Sequence, residues 1–152
     1  MEYIKKEIGK IKLVGMGIDT STQNAPGDCP PLWQSFMSKI SEIENVIENK
    51  TYGVSFTISQ AECTFRYIAG IEVSEFGNIK EGFEVKEIPA STYLIFTHKG
   101  KLNTLGETYS EIMKEIENAG YKQEETFWIE CYDERWKSDS DDAVFEIWVP
   151  IK

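Results

Sequence analysis

Histidine and cysteine are scarce in this chain, with one His and three Cys in 152 residues. The thiols, Cys29, Cys63 and Cys131, are odd in number, widely spaced and never in a CxxC pair. That excludes a disulfide framework, fits a reducing cytoplasm, and leaves no zinc-ligand spacing. His98 alone cannot supply a His-based metal cage, no GxSxG accompanies it, and it is read as a structural residue. Long apolar runs are also missing. Nothing approaches the ~20 residues that span a bilayer, and the N-terminal MEYIKKEIGKIKLVG mixes charges into its apolar residues, so neither a membrane helix nor a signal peptide is expected. Cations are outnumbered, 16 Lys and Arg against 26 Asp and Glu for a net charge of -10. With no Lys/Arg run, direct nucleic-acid binding is not expected. GKLNTLGET holds Gly-Lys without the GxxxxGK[ST] spacing of a phosphate loop. No metal and no cofactor is called for.

Hydrophobic residues make up 41% of the chain and aromatics 12%. A chain of this length hides roughly two-thirds of its unfolded surface, enough for one self-sufficient domain over residues 1–152. Ile4 to Ile18 alternates loosely and reads as one long or bulged strand. DTSTQNAPGDCPP (19–31), with three of the five prolines, reads as loop. From Pro31, the stripe Leu32, Trp33, Phe36, Met37, Ile40, Ile43 and Ile47 predicts a helix ending near Glu48 to Lys50. Tyr52–Ile58 and Thr64–Val73 predict a hairpin closed by SQAEC. Phe83–Lys99 reads as a strand interrupted near Pro89. Thr104 and Glu107 have capping-box spacing before the stripe Leu105, Tyr109, Ile112, Met113, Ile116, which Ala119-Gly120 ends. Thr126–Tyr132 and Ala143–Ile151 are the last strands, separated by the charged loop DERWKSDSDD.

The order strand-helix-strand-strand is thus written twice, in halves of about 1–75 and 80–152, roughly 75 residues apart. The expected fold is α+β: pseudo-two-fold halves, an antiparallel sheet with helices on one face, and a central cleft of the kind that takes small molecules. Along FWIECYD, period-2 alternation sends Phe127, Ile129 and Cys131 to one face, expected against a helix, and Trp128, Glu130 and Tyr132 to the other. Glu146 and Trp148 repeat the pattern on the last strand, so the two strands are expected to share an aromatic-plus-acid face. Solvated positions on an open sheet explain Glu130 and Glu146 equally well. As a cavity wall, the same face would hold a carboxylate that needs hydroxyl donors, a proton or a cationic ligand.

RYIAGIEV (66–73), IPASTYLIFTHKG (88–100), NAGY (118–121), WIECYD (128–133) and FEIWVPIK (145–152) resemble the gyrase-inhibitor-like small-molecule-binding domain, the effector-binding module of AraC-type and MerR-type multidrug regulators. The resemblance covers nearly the whole chain and is clearest in the second half. It implies a duplicated α+β fold binding lipophilic, often cationic, aromatic compounds around a central acid, which corresponds here to Glu130, followed by Tyr132 and Asp133. Trp148 and Tyr93 stand in family motifs, Trp128 shares a strand with Glu130, and Glu146 shares one with Trp148. Trp33, Tyr52, Phe56 and Tyr67 are candidates on aromatic character alone, and core packing explains them as well. A regulator's helix-turn-helix has no room, so a stand-alone binder is expected. Two alternatives stay open. One is a hydrolase of electrophilic cyclopropane compounds, with Glu130 as base and Tyr52 or Tyr93 as partner hydroxyl. The other is an acidic module docking on a protein partner such as a topoisomerase.

Overall fold

The structure is a computed structural model that describes residues 1–152 apart from Glu125, Lys137 and the side chain of Asn49. Lys137 of the expected charged loop therefore lies outside the described residues. The elements run β1 (Tyr3–Ile8), β2 (Ile11–Ser21), α1 (Ala25–Lys39), β3 (Val46–Ser59), β4 (Thr64–Val73), β5 (Glu84–Ile88), β6 (Ser91–Lys99), α2 (Leu105–Ala119), β7 (Phe127–Tyr132) and β8 (Val144–Ile151). Short 3-10 turns follow α1 at Ile40–Glu42 and precede α2 at Leu102–Thr104.

All eight strands join one antiparallel sheet in the order β1-β6-β8-β7-β3-β4-β2-β5. Advancing each strand number by four, cyclically, and reading the order backwards returns the same sheet, so the two halves are related by a pseudo-two-fold axis between β3 and β7. The duplicated unit is strand-strand-helix-strand-strand, one strand longer than the sequence pattern suggests. Its first strand is exchanged: β1 pairs with β6 of the second half, and β5 pairs with β2 of the first. The helices sit at matching places. Leu32 and Phe36 of α1 are buried, as are Ile112 and Ile116 of α2.

Both helices lie on the same face. Leu32 and Phe36 pack on Tyr67, Ala69 and Ile71 of β4, while Ile112 and Ile116 pack on Leu94, Phe96, Phe145, Ile147 and Val149 of β6 and β8. The central strands β3 and β7 lie between these two packed regions and form the floor between the helices. The other face carries no helix, yet Leu13, Val54, Ile88, Tyr93 and Ile129 there are fully buried in one cluster that spans β2 to β6. A sheet that buries a helix-free face must curl over itself, and strand twist supplies that curvature.

Several expectations are corrected. Ile4–Ile18 is two strands, because the chain turns at Gly9-Lys10 and sends β1 and β2 to distant places in the sheet. Residues 19–31 are not plain loop: β2 continues to Ser21 and α1 begins at Ala25. Pro26 suits the first turn, where backbone N–H groups lack partners anyway. Pro30 and Pro31 remove two further helical bonds, whose would-be acceptors on Pro26 and Gly27 are in solvent-exposed residues. The first helix stops at Lys39 rather than near Lys50, since Asn45 takes a left-handed φ of 64° and turns the chain into β3, leaving Ile47 half exposed. Phe83–Lys99 is two separate strands parted by Pro89-Ala90. The Thr104 hydroxyl donates to the Lys101 carbonyl instead of capping α2. Phe127, Ile129 and Cys131 face the helix-free side, not a helix.

Candidate ligand-binding site

Gly53↔Glu130 and Val54↔Ile129 are the two middle pairs of the β3–β7 ladder, so Glu130 stands beside the pseudo-two-fold axis on the floor between the helices. Alternation turns Glu130 to the helix-covered face, where its carboxylate lies over the β3 backbone. A side chain at Gly53 would put its Cβ 2.1 Å from the Tyr67 hydroxyl and 2.6 Å from Glu130 Oε1. Gly53 is therefore the residue that lets a β7 carboxylate reach across to β4.

Three hydroxyls converge on that carboxylate. Tyr67 of β4 donates to Oε1 at 2.8 Å, Tyr132 of β7 to Oε1 at 3.1 Å, and Tyr109 of α2 to Oε2 at 2.9 Å. From α1, the Trp33 indole donates to the Tyr67 oxygen at 3.0 Å. The rings form a wall: Trp33 meets Tyr132 edge-on at 5.4 Å, and Tyr109 meets Trp128 at 5.5 Å. Glu130 keeps partial access to water. Among the described residues no cation forms an ion pair with it, although arginines and lysines pair with acids elsewhere. Withdrawal from water raises the Glu130 pKa, and the hydrogen bonds from Tyr67, Tyr109 and Tyr132 offset this only in part. Burial, followed by the nearby acid, also holds all three phenols protonated as donors. Cys29 on α1 lies half-buried near the same charge, and burial, then Glu130 and Asp28, push its thiol up to about 12. It is an un-ionised thiol here.

The candidates divide by face. Glu130, Tyr132, Trp128, Tyr67 and Trp33 come together on the helix-covered side. Tyr52, Tyr93, Phe56 and Trp148 belong to the helix-free side, where Tyr52 and Tyr93 pack on Trp148 and Phe56 packs on Phe127. Neither Tyr52 nor Tyr93 reaches Glu130, which removes them as its partner hydroxyl. Glu146 is engaged elsewhere, accepting from the Trp148 indole and from Arg135. The shared acid-and-aromatic face on β7 and β8 does not form, because the register sets Glu130 opposite Ile147, and Trp148 opposite Ile129. His98 is buried, with Thr108 at one ring nitrogen and the Lys101 carbonyl at the other, a structural link from β6 to the start of α2. The sequence reading did not single out Tyr109 or Gly53 for the site. Tyr109 is visible there only as one member of a helical stripe, and nothing local marks Gly53.

Among the described residues no helix is long and apolar enough to cross a membrane, and no group of three or more His, Cys, Asp or Glu is placed to hold a metal. The chain is similar to the transcriptional regulator BrlR of Pseudomonas aeruginosa, 30% identical over 132 residues that cover 84% of this chain and 48% of that protein. It thus spans about half the length of this curated relative. Its fold matches the structure of SAV2435 bound to tetraphenylphosphonium, with TM-score 0.79 at 18% identity over 100% of this chain and 94% of that one. It also matches the integron cassette protein VCH_CASS2 of Vibrio cholerae, with TM-score 0.65 at 14% identity over 99% and 95%. Since the family model described as integron-associated effector binding protein (Cass2) matches residues 6–151, nearly the entire sequence, the chain belongs to that effector-binding family.

Proposed function

We propose that residues 1–152 act as one effector-binding domain that captures a lipophilic, cationic aromatic compound between the two helices, with Glu130 as the counter-charge and no direct contact to nucleic acid. The supporting observation is the unpaired acid itself: a carboxylate on the cleft floor, held by three neutral hydroxyls and by no cation among the described residues. Hydrogen bonds orient that charge without neutralising it. A bound cation would neutralise it, with an attraction of about 4 kcal/mol at ~4 Å and an effective dielectric near 20, before desolvation is subtracted. The surrounding rings add the face-on attraction that aromatic groups offer to desolvated cations. Trp33 and Tyr132 pack edge-on beside the acid, so a bulky ligand is admitted when the Trp33 indole leaves Tyr67 and the ligand's rings take its place.

Tetraphenylphosphonium, the ion held by the structural relative SAV2435, is the first probe. Titration followed by tryptophan fluorescence and calorimetry should show binding that Glu130→Gln weakens at least about tenfold. A neutral analogue, triphenylphosphine oxide, should lose little in the same variant. Equal affinity of wild type and variant for the cation would overturn the reading. Product analysis on an electrophilic cyclopropane substrate separates turnover from capture, with the compound recovered intact expected for capture.

A further inference from the structure

Two residues along the same strands from Gly53 and Glu130, Ser55 pairs with Trp128, and that pair lines a groove of about 240 Å³. It lies between Thr22, which leads into α1, and Gln123, in the segment that leaves α2. Its lining differs in kind from the Glu130 crevice. Ser55, Thr64 and Gln123 bring hydroxyls and an amide, Phe65, Phe127 and Trp128 bring rings, and among the described residues no charged side chain takes part, although 28% of the chain is charged. The Gln123 carbonyl oxygen is held by the Trp128 indole at 3.1 Å. That bond fixes the ring as a partition, since its other neighbour, Tyr109, is one of the hydroxyls on Glu130. Among the described residues a charged group would find no counter-charge here, and a purely apolar one would strip water from the hydroxyls and the amide without replacing their hydrogen bonds. A group that both donates and accepts, and has an apolar ring face to set against an indole, meets neither cost.

We propose that the groove is a second subsite, which takes a neutral polyhydroxyl arm of the glycoside or polyol class carried by the cation that Glu130 holds. This rests on the cation-capture reading above and extends it to the ligand's other end. The volume equals about eight waters at ~30 Å³ each, room for a single sugar ring rather than a chain. The offset of two strand residues, about 7 Å, sets the distance between the charge and the arm.

Two synthetic probes test it: hexyltriphenylphosphonium, and the same cation bearing a β-glucoside at the far end of the hexyl chain. The glucoside should bind wild type at least about fivefold more tightly, the return expected from one or two net hydrogen bonds. Ser55→Val should abolish that gain while hexyltriphenylphosphonium affinity stays within about twofold, and the retained affinity shows that the variant is folded. Thr64→Val is the second variant, with the same expectation. Equal binding of the two probes to wild type, with Glu130→Gln still weakening both, would overturn the subsite and leave cation capture standing. A glucoside gain that survives in both variants would also overturn the subsite. Failure of both probes to bind would remove the two proposals together.

Discussion

On the helix-free face of the sheet, Tyr52 and Tyr93 meet Trp148 ring to ring at 5.7 and 5.5 Å, and the Tyr93 hydroxyl is buried with no hydrogen-bond partner among the described residues. On the helix-covered face, Tyr67, Tyr109 and Tyr132 aim their hydroxyls at one carboxylate. Both faces therefore carry tyrosine in the middle of the sheet, but Tyr93 contributes its bulk while Tyr67, Tyr109 and Tyr132 contribute their polar ends. The residue that makes the difference is Glu130. With a charge to serve, each phenol has a geometric duty; without one, the ring alone matters and an orphaned hydroxyl is tolerated.

The comparison breaks most readily at Gly53. Gly53→Ala would drive a methyl between the Tyr67 hydroxyl and the Glu130 carboxylate, at 2.1 and 2.6 Å. The expected cost is about 1–3 kcal/mol in urea unfolding, with loss of cation binding as well. Next in size is Tyr109→Phe, which removes one donor from a buried acid, expected to cost about 1–2 kcal/mol and to raise the Glu130 pKa further.

The pH dependence sharpens the same contrast. Because the folded protein holds the Glu130 proton more tightly than the unfolded chain does, it is the folded state that carries the extra proton between the ordinary value of 4.5 and the raised one. Stability from this group thus falls as pH rises through that window, by at most about 1.4 kcal/mol per pH unit. Glu130→Gln should remove that part of the slope in chemical unfolding from pH 4 to 8, and cation affinity should rise with pH over the same interval. Smallest of all is Tyr93→Phe. Deleting an unpartnered hydroxyl should leave the unfolding free energy unchanged within about 0.5 kcal/mol or increase it. A loss as large as that for Tyr109→Phe would mean that the two faces do not differ as described.

Much of this was legible in the residues. The hairpin of β3 and β4, the stop of α2 at Gly120 with its φ of 78°, and the central place of Glu130 all follow from alternation, turn residues and motif order. The face of each aromatic was not, because it depends on register. A shift of one residue between β7 and β8 exchanges Trp148 for Ile147 opposite Glu130, and no local pattern fixes that choice. Tyr109 entered the site from another segment through helix packing, a relation that spacing along one strand cannot reveal. The prolines misled for a different reason. Pro26, Pro30 and Pro31 are loop formers by propensity, but all three fall in the first two turns of α1, where an exposed helix end can do without their hydrogen bonds.

The exchange of β1 and β5 between the halves has a mechanical meaning. Each half is buckled into the other by its own leading strand, so the two cannot swing apart like the leaves of a book without tearing ladders on both sides. Widening at the centre must come instead from the helices riding over that shared platform, and the proline-bearing start of α1 is already short of backbone bonds that would resist such a shift.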